Sequence, residues 1–215
     1  MDTIIFIGGI GSNRPQVEAV GQELSDYYGQ PVQVFSFRDA WQNKEKIREL
    51  THGAHVITHS AGMLTLIGMK PREVVAIAPP IPTPPSRLLW RSVPKTIQLM
   101  QRSRINADRR QKVRQYHKYA TWEHSRHPEY NLGYLAKVGA FDAFRVSRQL
   151  SKQGAAVTLA FMKDDLLFFD IARFYFVSEM SEQGIDVRLD IPGEHDEFLL
   201  YPVQLLKALT ISSER

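Results

Sequence analysis

The run His55-Val56-Ile57-Thr58-His59-Ser60-Ala61-Gly62-Met63-Leu64 sets a polar Ser among small residues, after a short apolar stretch and before apolar positions at helical spacing, Met63, Leu64, Leu66 and Ile67. This pattern predicts a strand, a sharp turn and a helix. Such a turn holds a side chain strained and exposed at the top of a sheet, the setting an activated nucleophile requires. Three other stretches carry groups that could act with Ser60: Gly8-Gly9-Ile10-Gly11-Ser12-Asn13, Lys163-Asp164-Asp165 and Gly193-Glu194-His195-Asp196. In chain order these supply a loop of backbone donors, a Ser, an Asp and a His. Taken alone, the Ser motif also fits an ordinary strand-to-helix turn in which Ser60 is only a cap.

The elements that must position these groups follow from the hydrophobic pattern. Continuous apolar runs predict strands at Thr3–Ile7, Val32–Phe37, Ala54–Thr58, Val74–Ala78, Val157–Met162 and Asp186–Ile191. Between them, helical spacing predicts a helix from Pro15 to Gly29, a polar helix at Trp41–Leu50, one from Ser60 to Gly68, one around Phe141–Leu150 and one at Ile171–Met180. An amphipathic helix at Glu197–Leu209 closes the chain. Strands apolar throughout and alternating with helices predict a three-layer α/β/α fold around a mostly parallel six-stranded sheet. Functional groups in such a sheet collect at the carboxyl ends of the strands. Four of the six expected strands end in the stretches named above.

The proline run Pro79-Pro80-Ile81-Pro82-Thr83-Pro84-Pro85 suits neither helix nor inner strand, and it closes the first half of the sheet. A helical insert over about residues 81–135 follows the fourth strand, with helical spacing at Val93, Ile97 and Met100 and again over Ala107–Trp122. At 215 residues without a repeat, the whole chain, 1–215, reads as one domain, and 43% hydrophobic content can fill its core.

Net charge is +4 but uneven: Arg87 to Lys118 holds ten Lys and Arg against Asp108 alone, or +9, which leaves −5 for the rest. A basic segment on a mildly acidic body points to an anionic neighbour such as a ligand, membrane surface or nucleic acid, or else to a solvated helical face. The absence of cysteine excludes disulfides and thiolate metal sites. Without a signal-like N-terminal pattern or an apolar run of membrane-spanning length, the chain is expected to be soluble and cytoplasmic.

On these residues the sequence resembles the α/β-hydrolase superfamily over nearly the whole chain apart from the insert. Thr58-His59-Ser60-Ala61-Gly62 is similar to the nucleophile elbow G-x-S-x-G, with Thr at the first glycine position. The family's acid follows a strand in a D-x-L-V-like pattern, which aligns Asp165-Leu166-Leu167-Phe168 and favours Asp165 over Asp164. Its His sits in a G-x-H loop before the last helix, matched by Gly193-Glu194-His195. The resemblance implies a serine hydrolase acting on a small acyl substrate, an ester first and a thioester or amide less readily, through an acyl-enzyme on Ser60. His195 is the implied base and Asp165 its orienting acid, with an oxyanion hole from the backbone of Ala61 and of Ile10 or Gly9. Gly8-Gly9 stands where the family commonly has His-Gly. The family carries its lid where this chain has its insert, and no metal or organic cofactor is implied.

Other readings are weaker. Arg14 occupies the third glycine position of a dinucleotide fingerprint, and no G-K-[ST] completes a phosphate loop. His52, His55 and His59 lie before, within and after one strand, so they read as structural or surface residues, not metal ligands. His124 and His127 read as solvated. Asp164 is expected to be a solvated loop charge, and Asp196, as an immediate chain neighbour, a poor competitor for His195. Leu88, Leu89, Trp90, Val93, Ile97, Leu99 and Met100 read as helix packing against the core. Two rival functions remain: an inactive hydrolase fold that binds an anionic partner through the basic insert, and an interfacial lipase whose insert touches the membrane peripherally. A nucleic-acid partner is not expected.

Overall fold

The computed structural model describes residues 3–83, 85–102, 106–126, 137–138, 140–167, 180 and 183–212. Its centre is a six-stranded, wholly parallel sheet in the order β2-β1-β3-β4-β5-β6. The strands are β1 (Ile4–Ile7), β2 (Val32–Phe35), β3 (His55–His59), β4 (Glu73–Ile77), β5 (Ala156–Met162) and β6 (Ile185–Ile191). β1 is buried along its whole length because both of its faces are covered. Ile4 and Phe6 pack on one side with Val17, Val20 and Leu24 of α1 (Arg14–Tyr28) and with Phe198, Leu205 and Leu206. Ile5 and Ile7 face the other side, with Phe37, Ile47 and the Phe144 of α6 (Ala143–Lys152). Alternation of side chains along each strand thus divides the core between two layers of helices.

Local chemistry sets the element ends. Asn13 caps α1 by accepting the Gln16 N–H at 3.1 Å, and Gly29, at φ 65°, ends it. Ser36 accepts the Asp39 N–H at 3.2 Å and so starts a helix at Phe37, which is why β2 stops at Phe35 and not at the expected Phe37. The expected polar helix over Trp41–Leu50 is two helices, α2 (Phe37–Gln42) and α3 (Lys44–Thr51), broken at Asn43. The segment after β3 is a 3-10 helix, Ser60–Leu66, and not an α-helix. The closing helix divides before Pro202 into α7 (Glu197–Leu200) and α8 (Pro202–Ser212), since the residue preceding a proline disfavours helical backbone. The expected helix Ile171–Met180 lies, except for Met180, outside the described residues.

After β4 come α4 (Pro85–Arg102), with Pro85 in its first turn where a missing N–H costs nothing, and α5 (Ala107–Arg126). The remainder of the expected insert, residues 127–135, lies outside the described residues, and so does His127. Among the described residues no helix is long and apolar enough to cross a membrane.

Candidate active site

β3 delivers Ser60 on a turn with φ 50°, a left-handed backbone that a non-glycine residue adopts at a cost of about 1–3 kcal/mol. The turn needs small residues where strand and helix backbones meet. At Gly62 a Cβ would come within 2.5 Å of the Ile7 carbonyl oxygen, so glycine is obligatory there. Thr58, at the other small position, is fully buried and fits, although its hydroxyl has no hydrogen-bond partner.

Asp165 and His195 follow neighbouring strands, β5 and β6, whose ends are tied together. The Lys163 N–H donates to the Ile191 carbonyl at 2.8 Å and the Asp164 N–H to the Gly193 carbonyl at 3.0 Å. Gly193 has φ 124° and little room for a side chain against Glu197. This brings His195 over Asp165: His195 Nδ1 lies 2.8 Å from Asp165 Oδ2, and its Nε2 lies 2.9 Å from Ser60 Oγ. The second oxygen of Asp165 accepts the Leu167 N–H at 2.7 Å, which fixes the carboxylate plane. Because an ionised carboxylate only accepts, Nδ1 carries the imidazole proton and Nε2 is left to accept from Ser60. Asp165 and His195 are both buried.

The glycine-rich loop runs against the Ser. A Cβ on Gly9 would lie 2.8 Å from the Ser60 Cβ, so the backbone passes within contact of Ser60 only because that side chain is absent. Ser12 closes the loop by donating its hydroxyl to the Gly9 carbonyl at 2.6 Å. The Gly8 N–H is committed to the Phe35 carbonyl at 2.9 Å.

His59 belongs to this site, although its sequence context grouped it with His52 and His55. His55 bonds Glu73 at 2.7 Å, away from the site. His59 is buried, and its Nε2 lies 2.8 Å from the His195 carbonyl oxygen, which fixes Nε2 as the protonated nitrogen. Burial and then the neighbouring His195 lower its pKa to about 4. Only the distant pairing of β3 with the His195 loop reveals this role, and no local motif signals it.

The insert's charges are the larger correction. Asp164 is no solvated charge: Arg102 Nη1 donates to its Oδ2 at 3.1 Å. Asp196 is buried, and its Oδ2 lies 2.6 Å from Lys95 Nζ and accepts the Tyr116 hydroxyl at 2.9 Å. Burial alone would raise this carboxyl, but Lys95, then His195 and His59, hold it well below the usual carboxylate range. Arg109 forks onto Glu197 at 2.5 and 2.9 Å and reaches Glu194 at 3.4 Å, while Arg102 Nε lies 3.2 Å from Glu194. Burial pushes Glu194 up to about 7 against the pull of both arginines. Lys112 donates to the Leu200 carbonyl at 2.8 Å. Lys95, Arg102 and Arg109 of the basic insert thus find anionic neighbours in the protein's own body, at the acids flanking His195 and Asp165. The side chains of Arg110, Arg114 and Lys118 are the exposed remainder on α5.

The expected apolar packing of α4 holds at Leu99 and fails at Trp90, Ile97 and Met100. Leu99 is buried, but Trp90 is 81% exposed and Ile97 and Met100 are also exposed, because the inward face is occupied by Lys95 and Arg102. The side chains of Leu88, Leu89 and Val93 lie outside the described ones.

Among the described residues, one set of potential ligands, His59, His195 and Asp196, gathers atoms within 4.8 Å of one another. Lys95 already places a positive charge on Asp196, and both nitrogens of His195 are engaged, so the donor chemistry does not suit a cation.

No protein-family model and no curated protein matches the sequence. Solved structures do. A carboxylesterase structure from the ammonia-oxidizing thaumarchaeon Nitrososphaera gargenis superposes with a TM-score of 0.62 at 11% identity, covering 98% of this chain and 89% of that one. The type II thioesterase BorB from the borrelidin biosynthetic cluster superposes with a TM-score of 0.54 at 14% identity, covering 97% and 91%. At such identities the likeness carries the fold and not the activity.

Proposed function

We propose, from the α/β-hydrolase fold that this chain adopts, that it is a serine hydrolase cleaving a carboxylic ester, with a thioester or amide as less favoured substrates. The observation that carries the reading is the continuous chain from Ser60 Oγ through His195 to Asp165, at 2.9 and 2.8 Å, on a strained turn. Ser60 Oγ attacks the acyl carbon as its proton passes to His195 Nε2, and Asp165 stabilises the imidazolium so formed. The tetrahedral oxyanion is met by the N–H of Ala61 and that of Ile10 or Gly9, each such donor contributing on the order of 3 kcal/mol to the transition state. His195 returns the proton to the leaving alkoxide, which frees the alcohol and leaves Ser60 acylated. Water, deprotonated by the same His, then releases the acid.

Ser60→Ala is expected to lower turnover of a p-nitrophenyl ester by roughly 10⁶-fold with the melting temperature kept. Undiminished turnover in that variant overturns the reading.

A second reading, interfacial lipase action, is favoured by the outward apolar stripe of α4, Trp90, Ile97 and Met100. In it the insert acts as a lid that meets aggregated ester. A jump in rate as substrate passes its aggregation point supports this, and smooth saturation counts against it. For the inactive binding module, Lys95, Arg102, Arg109 and Lys112 are engaged by the body's own acids and carbonyls, which leaves Arg110, Arg114 and Lys118 as the described charges exposed on α5.

A further inference from the structure

Two carboxylates, not one, stand beside His195. Asp165 bonds its Nδ1. Asp196 brings a carboxylate oxygen within 4.8 Å of nitrogens of both His195 and His59, from a position as buried as theirs. A second buried anion at that range favours the imidazolium form and offers the ring a competing acceptor. An imidazolium cannot take the Ser60 proton. The anion is cancelled on one oxygen, by the Lys95 ammonium at 2.6 Å and the Tyr116 hydroxyl at 2.9 Å, and both come from the insert.

We propose that Lys95, seconded by Tyr116, is a positioning residue for the catalytic base: it holds and neutralises Asp196, so that Asp165 alone orients His195. The inference rests on the triad reading above and deepens it, because it makes docking of the insert a condition of a competent His195.

Among the described residues, these groups face this centre. From the end of β3 comes His59, and from the turn after it Ser60, with ring centroids of His59 and His195 5.3 Å apart. From the end of β5 comes Asp165. α4 supplies Lys95 and α5 supplies Tyr116. On the His195 loop itself Glu194 is matched by Arg102 and Arg109, and Glu197 by Arg109. Among these groups, removing Lys95 uncovers the charge of Asp196.

The experiment follows the His195 imidazole by NMR across pH in wild type, Lys95→Met, Asp196→Asn and the double variant, with kcat/KM on a soluble ester in parallel. In Lys95→Met the midpoint is expected to rise by about one pH unit, and activity below that midpoint to fall roughly tenfold while the high-pH plateau is retained. The double variant returns the midpoint to near its wild-type position. Asp196→Asn alone leaves the Lys95 cation uncompensated and moves the midpoint down, a result that does not depend on Lys95→Met folding. An unmoved midpoint in either single variant, or an activity loss uniform in pH that Asp196→Asn does not relieve, overturns the inference. The NMR arm needs no turnover. A wild-type protein whose Ser60 resists a fluorophosphonate defeats the hydrolase reading while leaving the charge relay between Lys95, Asp196 and His195 measurable.

Discussion

α1 and α4 are helices of similar length, 15 and 18 residues, joined to the body by opposite chemistry. α1 turns Val17, Val20 and Leu24 to the sheet, and its exposed charges, such as Arg14 and Glu18, pair with each other. α4 turns Lys95 and Arg102 inward and Trp90, Ile97 and Met100 outward. The apolar seam between insert and body is small among the described residues: Leu99 and Val113 against Leu200, flanked by Tyr116 and Tyr201. Apolar burial is non-directional and holds a helix anywhere it covers area. Charge-assisted hydrogen bonds are directional and select particular partners. The partners selected here are Asp164, Glu194 and Asp196, the chain neighbours of Asp165 and His195. The body is thus held by area, and the insert is addressed to the loops that carry Asp165 and His195.

The difference can be broken from either side. Leu24→Ala removes a fully buried side chain from the α1 seam and is expected to cost about 4 kcal/mol of global stability by chemical denaturation. A cost under 1 kcal/mol would mean that α1 is not held by that seam. Arg109→Met removes the fork on Glu197 and leaves Glu194 with one arginine. It is expected to cost roughly 3 kcal/mol, read as faster hydrogen exchange in α5 with α1 unchanged. Equal loss of protection in both helices would abolish the distinction. His59 sharpens the comparison through pH. Its folded pKa, about 4, lies below its ordinary 6.5, so the unfolded chain binds the proton more tightly and stability falls as pH drops through that window. From pH 7 to 5 this one group contributes a loss of roughly 2 kcal/mol, which His59→Gln, still able to donate to the His195 carbonyl, is expected to remove. Identical acid limbs in wild type and variant would show that His59 does not titrate as a buried group.

Much of the candidate site is legible in the sequence because its members are marked locally. Ser60 stands between small residues at the end of an apolar run, Asp165 and His195 stand at the ends of two others, and Gly62 and Gly193 occupy turns that exclude a side chain. Asp164, expected to be solvated, is paired, and the partners of Asp196 and His59 are equally illegible in the sequence, for one reason. Each bonds a group far along the chain, Arg102, Lys95 or His195, and neither spacing nor periodicity reports such pairs. The apolar spacing of α4 is a true helical signal, but Trp90, Ile97 and Met100 face outward and Leu99 alone of the described positions faces the core. Periodicity gives the stripe and not what it meets.

The sequence by itself determined the parallel six-stranded sheet, the two-layer helix cover and the strand ends that carry Ser60, Asp165 and His195, because these follow from local patterns of apolar and small residues. Tertiary structure alone decided the bonding distances between them, the entry of His59 into the site and the fate of the +9 segment. A count of charges states that a basic segment needs anions. Only the fold, by setting the β5 and β6 loops under α4 and α5, decides that for Lys95, Arg102 and Arg109 those anions are the protein's own.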